Sequence, residues 1–568
     1  MADAEPRTAA TEEAGAAGGG DEVDGAPGTS PRASTWLTER LPVWLFAAGV
    51  VATVPLVLFH FGEHQWFLAD EWVVLTDHEG FPPLFDPSAG AHLILVPRLV
   101  YRAFWELWGV TTYRPYALAN LTAHVIAVSM LWIIMRRSAV VPWLATAAAG
   151  IMLLFGPGHE GIVLAFQIGF TGSLAWGLVQ LVLADHDGGF GRRDVLALGF
   201  GLLAIASSGV AVTMAGVVGL ALLLRRGWRP ALLHSVPLLL LYGLWMVVKD
   251  VDTSPAASRP SIGLLLRWVR ETSVDTLKGV AHFELVAVLL VVIVAVATVL
   301  VLGPWRDRGR GDLRRELAMP VAMAVGMVFF AAATGMGRAW AGLDRASSSR
   351  YIYLQAALLL PLFAVAAQVL CRRWRALTPV LVVLFLVPLV FNLGDFGTSP
   401  FNRRPFFEGR RYILTTAVRM PFADEVPRGV RPVPDRFDSE GLNIGFLLDA
   451  ERSGKLNPST VALTPEAVNE FRIRLGVAQW PTTPGLFPSA CETITDRHDL
   501  APRKGAEFMF LQPIQVMTID RAGGRQTSRP VSFDPFLNGN RFTVELPDLQ
   551  LRIRPARGQR AASLCPLN

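Results

Sequence analysis

Two adjacent acids, Asp70 and Glu71, are the residues best placed for chemistry in this sequence. They follow the first apolar span, Val43–Phe61, by nine residues. A carboxylate just above a membrane surface can act as a general base on an acceptor hydroxyl. The second carboxylate is then available for a metal ion or another hydroxyl. The alternative interpretation is a pair of solvated loop acids.

Histidine, arginine and a further acid occur in the neighbouring loops. His92 can orient an acid, donate to a phosphate or cap a helix, and Arg98 can pair with a phosphate or extend along the membrane surface. The glycine-rich turn 156–161 needs neither a histidine nor an acid to bend. His159 and Glu160 therefore hold a divalent cation, complete an acceptor site, or are ordinary turn residues.

Three arginines precede a late apolar span, and they fall on the predicted outer side of the membrane. They are Arg338, Arg345 and Arg350, the last followed by Tyr351 at a helix start. Cations in this place oppose the usual inside-positive distribution and suggest an anionic ligand. Backbone N–H groups at the helix start would help to hold a lipid phosphate. Pairing with Asp344 or with lipid headgroups is the alternative.

The elements that position these residues are predicted to be membrane helices. Hydrophobic residues make up 52% of the 568 residues and charged residues 17%, against about 25% charged in soluble proteins. The composition predicts a disordered cytoplasmic tail over 1–35 and an all-α polytopic membrane domain over 36–394. Its eleven apolar spans are Val43–Phe61, Pro115–Met135, Val140–Phe155, Ile162–Ala184, Val195–Ala206, Val210–Leu224, Ala231–Val248, Leu285–Leu302, Met319–Ala333, Tyr351–Leu370 and Pro379–Phe391.

Arginine clusters predict the orientation. With the N-terminus in the cytoplasm, every cluster between spans lies inside. Spans 195–206 and 210–224 are short, but merging them across Ser207-Ser208-Gly209 would move all later clusters outside. The charge pattern therefore favours two short crossings. An odd number of crossings places residues 395–568 outside.

Residues 395–568 are predicted to form an exoplasmic α+β domain. A helix is expected over Ser459–Leu475, with Thr464 just before Pro465 as its start. Cys491 and Cys565 can pair in an oxidising compartment or remain two thiols. Alternating runs predict strands at Glu507–Leu511, Ile514–Ile519, Arg541–Leu546 and Leu549–Ile553.

Aromatic residues are dense in the first outer loop, 62–114. Such a density predicts helices that lie in the membrane interface, and the run Arg267–Arg270 in a later outer loop is interpreted in the same way. The aromatic residues are Trp66, Trp72, Trp105, Trp108 and Tyr113.

In order and arrangement, these features resemble the polyprenyl-phosphate-dependent GT-C glycosyltransferases. That superfamily includes protein O-mannosyltransferases, aminoarabinose transferases and arabinosyltransferases. The resemblance covers roughly residues 40–395, about eleven crossings followed by an exoplasmic domain. Its motifs are Asp70-Glu71, the stretch His92 to Pro97-Arg98, Gly109 to Tyr113-Arg114-Pro115, and Arg350-Tyr351.

The resemblance implies inverting transfer of a sugar from a polyprenyl-phosphate donor to an exoplasmic cell-envelope acceptor, in a bacterial plasma membrane. It makes Asp70 the base, with Glu71 as its neighbour, and His159-Glu160 similar to a second-loop acid. Donor-phosphate binding falls on cations, here arginines because the chain has only four lysines. The candidates are Arg98, Arg338, Arg345 and Arg350, with Tyr351 beside the last.

Two other classes of protein remain as alternatives. A transporter of lipid-linked glycans would need a polar path across the membrane, and the spans contain few acids. A non-catalytic scaffold of envelope assembly would carry its function in residues 395–568. The sequence has no P-loop, dinucleotide fingerprint or zinc-protease motif, and no basic tract interleaved with aromatics, so a nucleic-acid partner is not expected.

Overall fold

The computed structural model describes residues 36–76, 85, 92–249, 260–303, 310–398, 404–433, 439, 441–480, 491–520, 524–535 and 539–567. The predicted tail, 1–35, lies outside these residues. The described chain consists of a bundle of apolar helices followed by a smaller region of helices and two β-sheets. This is the predicted fold class.

Eleven helices correspond to the eleven predicted spans. Three of them are short, at Pro142–Leu153, Arg192–Ser207 and Val210–Arg225. Among the described residues, eight helices are long and apolar enough to cross a bilayer. These are Trp36–Phe61, Arg114–Arg137, Ala165–Ala184, Trp228–Val248, Glu284–Leu302, Arg315–Ala341, Ser349–Arg373 and Leu377–Gly397.

The two ends of the bundle can be told apart by the contacts of one helix, Ala165–Ala184. At its first residue, the Ala165 N–H donates to the Tyr113 hydroxyl at 2.8 Å. At its last residue, the Ala184 carbonyl accepts from Arg226 at 2.9 Å. We call the end that carries Asp70 and Tyr113 the outer face, and the end that carries Arg226 the inner face.

The short helices on either side of Ser207-Ser208-Gly209 cross the bundle twice. A Cβ built on Gly209 would lie 3.0 Å from Nδ1 of His92 on the outer face, whereas the second helix ends at the inner face beside Arg226. The two short helices therefore run in opposite directions between the two faces, and their crossing of the membrane stays a prediction of the arginine pattern. A helix of 16 residues is only about 24 Å long. Ser207 and Ser208 are buried in protein, which keeps the break away from lipid.

A buried ion-pair network joins helix ends at the inner face. The Asp194 carboxylate accepts hydrogen bonds from Arg226 at 2.6 Å and from the Gly191 N–H at 3.0 Å. It also lies 3.1 Å from Nε2 of His234 and 3.1 Å from Nε2 of His186. The neighbouring Asp185 pairs with Arg225 and Arg137. These acids and cations neutralise one another inside the fold.

Three further helices lie beside the bundle at the outer face: Asp70–Thr76, Leu95–Trp108 and Ile262–Ala281. The expectation that the aromatics of the first outer loop lie in the membrane interface is wrong for Trp66, Trp72 and Tyr113. Each is at most 6% exposed, because they pack in one core with Phe407 and Leu447 of the C-terminal region.

The expected position in the membrane interface is also wrong for Trp268 in the run Arg267–Arg270. Trp268 is fully buried against the bundle, and its indole N–H donates to Thr334 at 3.3 Å. Trp108 differs, because it remains 41% exposed. Aromatic density alone does not separate a lipid interface from a protein core.

The C-terminal region begins with the helices Arg404–Ala417 and Ile444–Arg452, which cover the first outer loop. The helix Pro465–Gly476 follows, and Thr464 caps it by accepting from the Ala467 N–H at 3.2 Å. Thr464 and Pro465 therefore start this helix as predicted.

In the described part of this region, nine strands form two antiparallel sheets, with the orders β1-β7-β4-β9-β2 and β3-β8-β5-β6. The four predicted strands are β4, β5, β7 and β8. Cys491 and Cys565 form a disulfide that joins the start of β2 to β9. The strands are β1 Val477–Trp480, β2 Glu492–Ile494, β3 His498–Leu500, β4 Glu507–Phe510, β5 Ile514–Thr518, β6 Val531–Phe533, β7 Arg541–Val544, β8 Leu551–Pro555 and β9 Ala562–Leu567.

Candidate active site on the outer face

The two acids of the pair have different surroundings. Asp70 is the first residue of the helix Asp70–Thr76 and is exposed. Ala69 before it has φ +46°, a left-handed conformation that is unfavourable for alanine. Among the described residues, the Asp70 carboxylate has no hydrogen bond or ion pair. Strain of this kind persists where surrounding contacts hold the backbone.

Glu71 provides those contacts. Its side chain is buried and accepts hydrogen bonds from the Tyr101 hydroxyl at 2.7 Å, the Tyr113 hydroxyl at 3.1 Å and the Leu68 N–H at 2.8 Å. Burial raises the pKa of Glu71 to about 7, although these three donors oppose the shift. The Glu71 carboxylate is therefore occupied by three hydrogen bonds within the protein, whereas Asp70 faces solvent.

Tyr113 connects this acid site to the segment that contains Glu160. Its hydroxyl donates to Glu71 and accepts from the Ala165 N–H at 2.8 Å. Asn120 holds the same segment from the membrane side, because its amide group reaches the carbonyls of Gly161, Ile162 and Leu164 at 3.0–3.1 Å. The position of Asp70 is thus coupled to the 156–167 segment.

The glycine-rich turn packs against the start of the helix Ser349–Arg373. A Cβ on Gly161 would lie 2.8 Å from the ring of Tyr353, so only glycine allows this approach. The Glu160 N–H donates to the Ser349 hydroxyl at 3.2 Å, and the Glu160 carboxylate accepts from the Arg350 N–H. Burial raises the pKa of Glu160, and the Arg350 charge opposes that shift.

His159 is directed back into its own turn. Its Nδ1 lies 3.0 Å from the Gly156 carbonyl, and burial lowers its pKa. Among the described residues, no three His, Cys, Asp or Glu side chains are grouped as metal ligands. His159 and Glu160 bind the protein itself, so their contacts are those of positioning residues.

Arg338 and Arg350 lie near His92 at the outer face. Burial, followed by the charges of Arg338 and Arg350, lowers the pKa of His92 to about 4. His92 is therefore neutral at pH 7, while two positive charges remain beside it. Neither arginine has a carboxylate of the described chain within ion-pair distance, although the Arg350 charge acts on the Glu160 carboxylate. This cationic group can attract an anion.

The remaining candidates lie in other surroundings. Tyr351 is a core residue that packs against Trp268 and Phe330, and the Arg350 guanidinium lies 5.6 Å from its ring centre. Arg98 and Arg345 differ in exposure. Arg98 is only 3% exposed within the helix Leu95–Trp108, whereas Arg345 is exposed on the short turn Leu343–Ser347.

Sequence reasoning did not assign roles to Tyr101 and Tyr113. They are 30 and 42 residues from Glu71 in the chain, so spacing does not relate them to it. Tyr113 is counted among the aromatics of the first outer loop, and Tyr101 has no assignment from the sequence. Ala69 carried no signal at all, because its conformation is imposed by its neighbours.

No known protein family matches the chain, and no curated protein matches its sequence. Among solved structures, the chain is similar to ArnT from Cupriavidus metallidurans bound to undecaprenyl phosphate, with 13% identity and a TM-score of 0.42 over 73% of this chain and 89% of that one. It is also similar to the apo state of the same protein, with 13% identity and a TM-score of 0.40 over 79% and 93% of the two chains.

Proposed function

We propose that this protein is a membrane glycosyltransferase that moves a sugar from a polyprenyl-phosphate donor to an acceptor hydroxyl at the outer face. The supporting observation is that the outer face carries an unpaired carboxylate, Asp70, together with two arginines that lack ion-pair partners in the described chain. Transfer from a phosphate donor requires these two kinds of group, a base for the acceptor and cations for the leaving group.

Asp70 is the general base. It takes the proton of the acceptor hydroxyl as that oxygen attacks the anomeric carbon. The bond between this carbon and the phosphate oxygen breaks, and the phosphate leaves with the electron pair. Because one displacement occurs, the anomeric configuration inverts. Holding donor and acceptor at one membrane face makes the encounter effectively intramolecular.

Arg338 and Arg350 bind the donor phosphate. A guanidinium group can donate two parallel hydrogen bonds to two oxygens of one phosphate. Its charge also stabilises the departing phosphate. Neutral His92 beside them can donate one hydrogen bond without adding charge. Tyr351 supports the Arg350 guanidinium by a cation–π contact. Of the other predicted phosphate ligands, Arg98 is buried and Arg345 is exposed, and both stay candidates for the same phosphate.

Glu71, His159 and Glu160 position the reacting groups. Glu71 holds the strained turn at Asp70 through the tyrosines, and Glu160 fixes the start of the helix that carries Arg350. The proposed orientation has the N-terminus in the cytoplasm and the C-terminal region outside, in a bacterial plasma membrane. The proposal needs no metal ion, since arginines carry the charge.

The experiment is the cell-envelope glycan profile of a deletion strain that carries wild-type protein, Asp70→Asn or Asp344→Asn. Asp344 is a matched control because it is another exposed acid near the outer face. We expect wild type and Asp344→Asn to restore one glycan, and Asp70→Asn to leave it missing while the protein accumulates normally. Restoration by Asp70→Asn would remove Asp70 as the base.

A further inference from the structure

A polar cavity lies on the outer face, between the membrane helices and the C-terminal region. Its volume is about 150 Å³. It is lined by the outer end of the first crossing, by the start of the helix Arg114–Arg137 and by the helix Arg404–Ala417. At roughly 30 Å³ per water molecule, it has room for about five waters. We call it the collar cavity.

The described lining of the collar cavity contains two arginines and one carboxylate. Arg114 and Arg411 both line it. Arg114 lies over the ring of Phe59, with 5.0 Å from its guanidinium carbon to the ring centre, and neither arginine has an ion pair with a described carboxylate. The carboxylate in the lining, Glu63, is 55% exposed and lies 3.9 Å from His64. The cavity therefore has an excess of positive charge.

Backbone and indole donors add to this charge. Tyr113 and Arg114 form the start of a 24-residue helix that has no side-chain cap, so its first N–H groups and its dipole favour an anion. Trp66 lines the cavity and is 3% exposed, and its indole N–H has no acceptor among the described residues. A buried N–H without an acceptor is costly, so an oxygen supplied by a ligand would be favourable.

The cavity also adjoins the acid site. Tyr113 lines it and donates to Glu71, and Trp66 packs against Trp72 at 5.5 Å between ring centres. Trp66 precedes Asp70 by four residues. A molecule anchored in the cavity would therefore lie beside the segment that carries the proposed base.

We propose that the collar cavity binds an oxyanion of the acceptor, a phosphate or a carboxylate close to the hydroxyl that receives the sugar. The identification of the ligand as the acceptor rests on the proposed function. Binding of an oxyanion can be measured without any sugar transfer. Two sources share this chemistry: the headgroup of an anionic lipid, and a soluble sugar phosphate or uronate.

The test measures binding of inorganic phosphate by calorimetry, with full-length protein in phosphatidylcholine nanodiscs. The starting variant is Arg338→Gln with Arg350→Gln, because this removes the proposed donor site and leaves the collar cavity. We expect saturable binding that Arg411→Gln or Arg114→Gln weakens about 10-fold and Trp66→Phe about 5-fold. Arg404→Gln is the matched control, since Arg404 lies on the same helix as Arg411 and pairs with Glu408.

Two outcomes would overturn the proposal, and two would support it. Absence of saturable binding in a variant with unchanged melting temperature would overturn it, and so would equal loss in Arg404→Gln and Arg411→Gln. Adding Asp70→Asn to the starting variant should leave phosphate binding unchanged. Failure of the proposed transfer chemistry can therefore be distinguished from failure of oxyanion binding. Competition by phosphatidylglycerol in the nanodisc supports the proposal and assigns a lipid source. Binding that is insensitive to phosphatidylglycerol also supports it and assigns a soluble source.

Discussion

Charges at the two faces of the bundle are arranged in opposite ways. At the inner face, Asp194 is fully buried and contacts Arg226, His234 and His186 within 3.1 Å. At the outer face, Asp70 and Arg350 have no ion-pair partner among the described residues.

This difference indicates which charges stabilise the fold and which are available to a ligand. A buried charge is tolerated when it is paired and hydrogen-bonded, because removal from water is otherwise too costly. The inner network meets that condition and joins helices. Charges left unpaired at a membrane surface are available to a ligand. The outer face, with Asp70, Arg338 and Arg350, is therefore the face where we expect chemistry.

The largest effect on stability is expected from Asp194→Asn. The change leaves Arg226, whose side chain is 6% exposed, without its anion, and breaking a buried pair in this way costs about 3–5 kcal/mol. Thermal unfolding in detergent measures it. Asp187→Asn is the control, because Asp187 is 62% exposed and surface pairs contribute about 0–1 kcal/mol. Equal melting temperatures for the two variants would show that the inner network is not structural.

A smaller effect, on donor binding, is expected from Arg350→Gln. Loss of a hydrogen bond to a charged group costs about 1.5–3 kcal/mol, so KM for the lipid-linked donor should rise about 10- to 100-fold while the melting temperature stays constant. Steady-state kinetics measures this rise. Arg270→Gln, an exposed arginine on an outer helix paired with Glu271, should leave KM unchanged. A drop in melting temperature with unchanged KM would place Arg350 with the structural charges.

The smallest effect is the pH dependence that Glu71 contributes. Its folded-state pKa of about 7 lies above the ordinary value of 4.5, so the folded protein binds an extra proton between these values. The contribution of Glu71 to stability is present below pH 4.5 and is lost as pH rises to about 7.

Wild type should therefore lose stability relative to Glu71→Gln from pH 4.5 to 7, by about 1 kcal/mol or more. Other titrating groups, His92 included, cancel in this difference. Chemical unfolding of both proteins at pH 5 and pH 8 measures it. A gain in the stability of wild type relative to Glu71→Gln between pH 5 and pH 8 would contradict the raised pKa.

The membrane body was predictable because lipid imposes a simple requirement. A crossing must satisfy its backbone internally and present apolar side chains, so each span is visible in the sequence. The arginine pattern also favoured two separate short helices around Ser207-Ser208-Gly209, and the structure has them. Alternation identified β4, β5, β7 and β8, and the Thr464-Pro465 pair identified a helix start.

The supports of the site were not predictable, because they join residues that are distant in the chain. Glu71 meets Tyr101 and Tyr113 only after folding, and Asp194 meets His234 across 40 residues. The aromatic loop was misinterpreted for a related reason. A tryptophan beside lipid and one beneath another domain have the same local sequence, so Trp66 and Trp72 gave no sign of their burial.

The most direct test of a catalytic outer face and a structural inner face is the transfer rate of purified Asp70→Asn. This rate is compared with that of wild type at equal folded fraction. A missing general base costs about 10²- to 10⁴-fold in rate, and an exposed, unpaired side chain contributes little to stability. We therefore predict at least a 100-fold loss of transfer with an unchanged melting temperature. Full transfer by Asp70→Asn, or loss of transfer only in proportion to unfolding, would contradict a catalytic outer face.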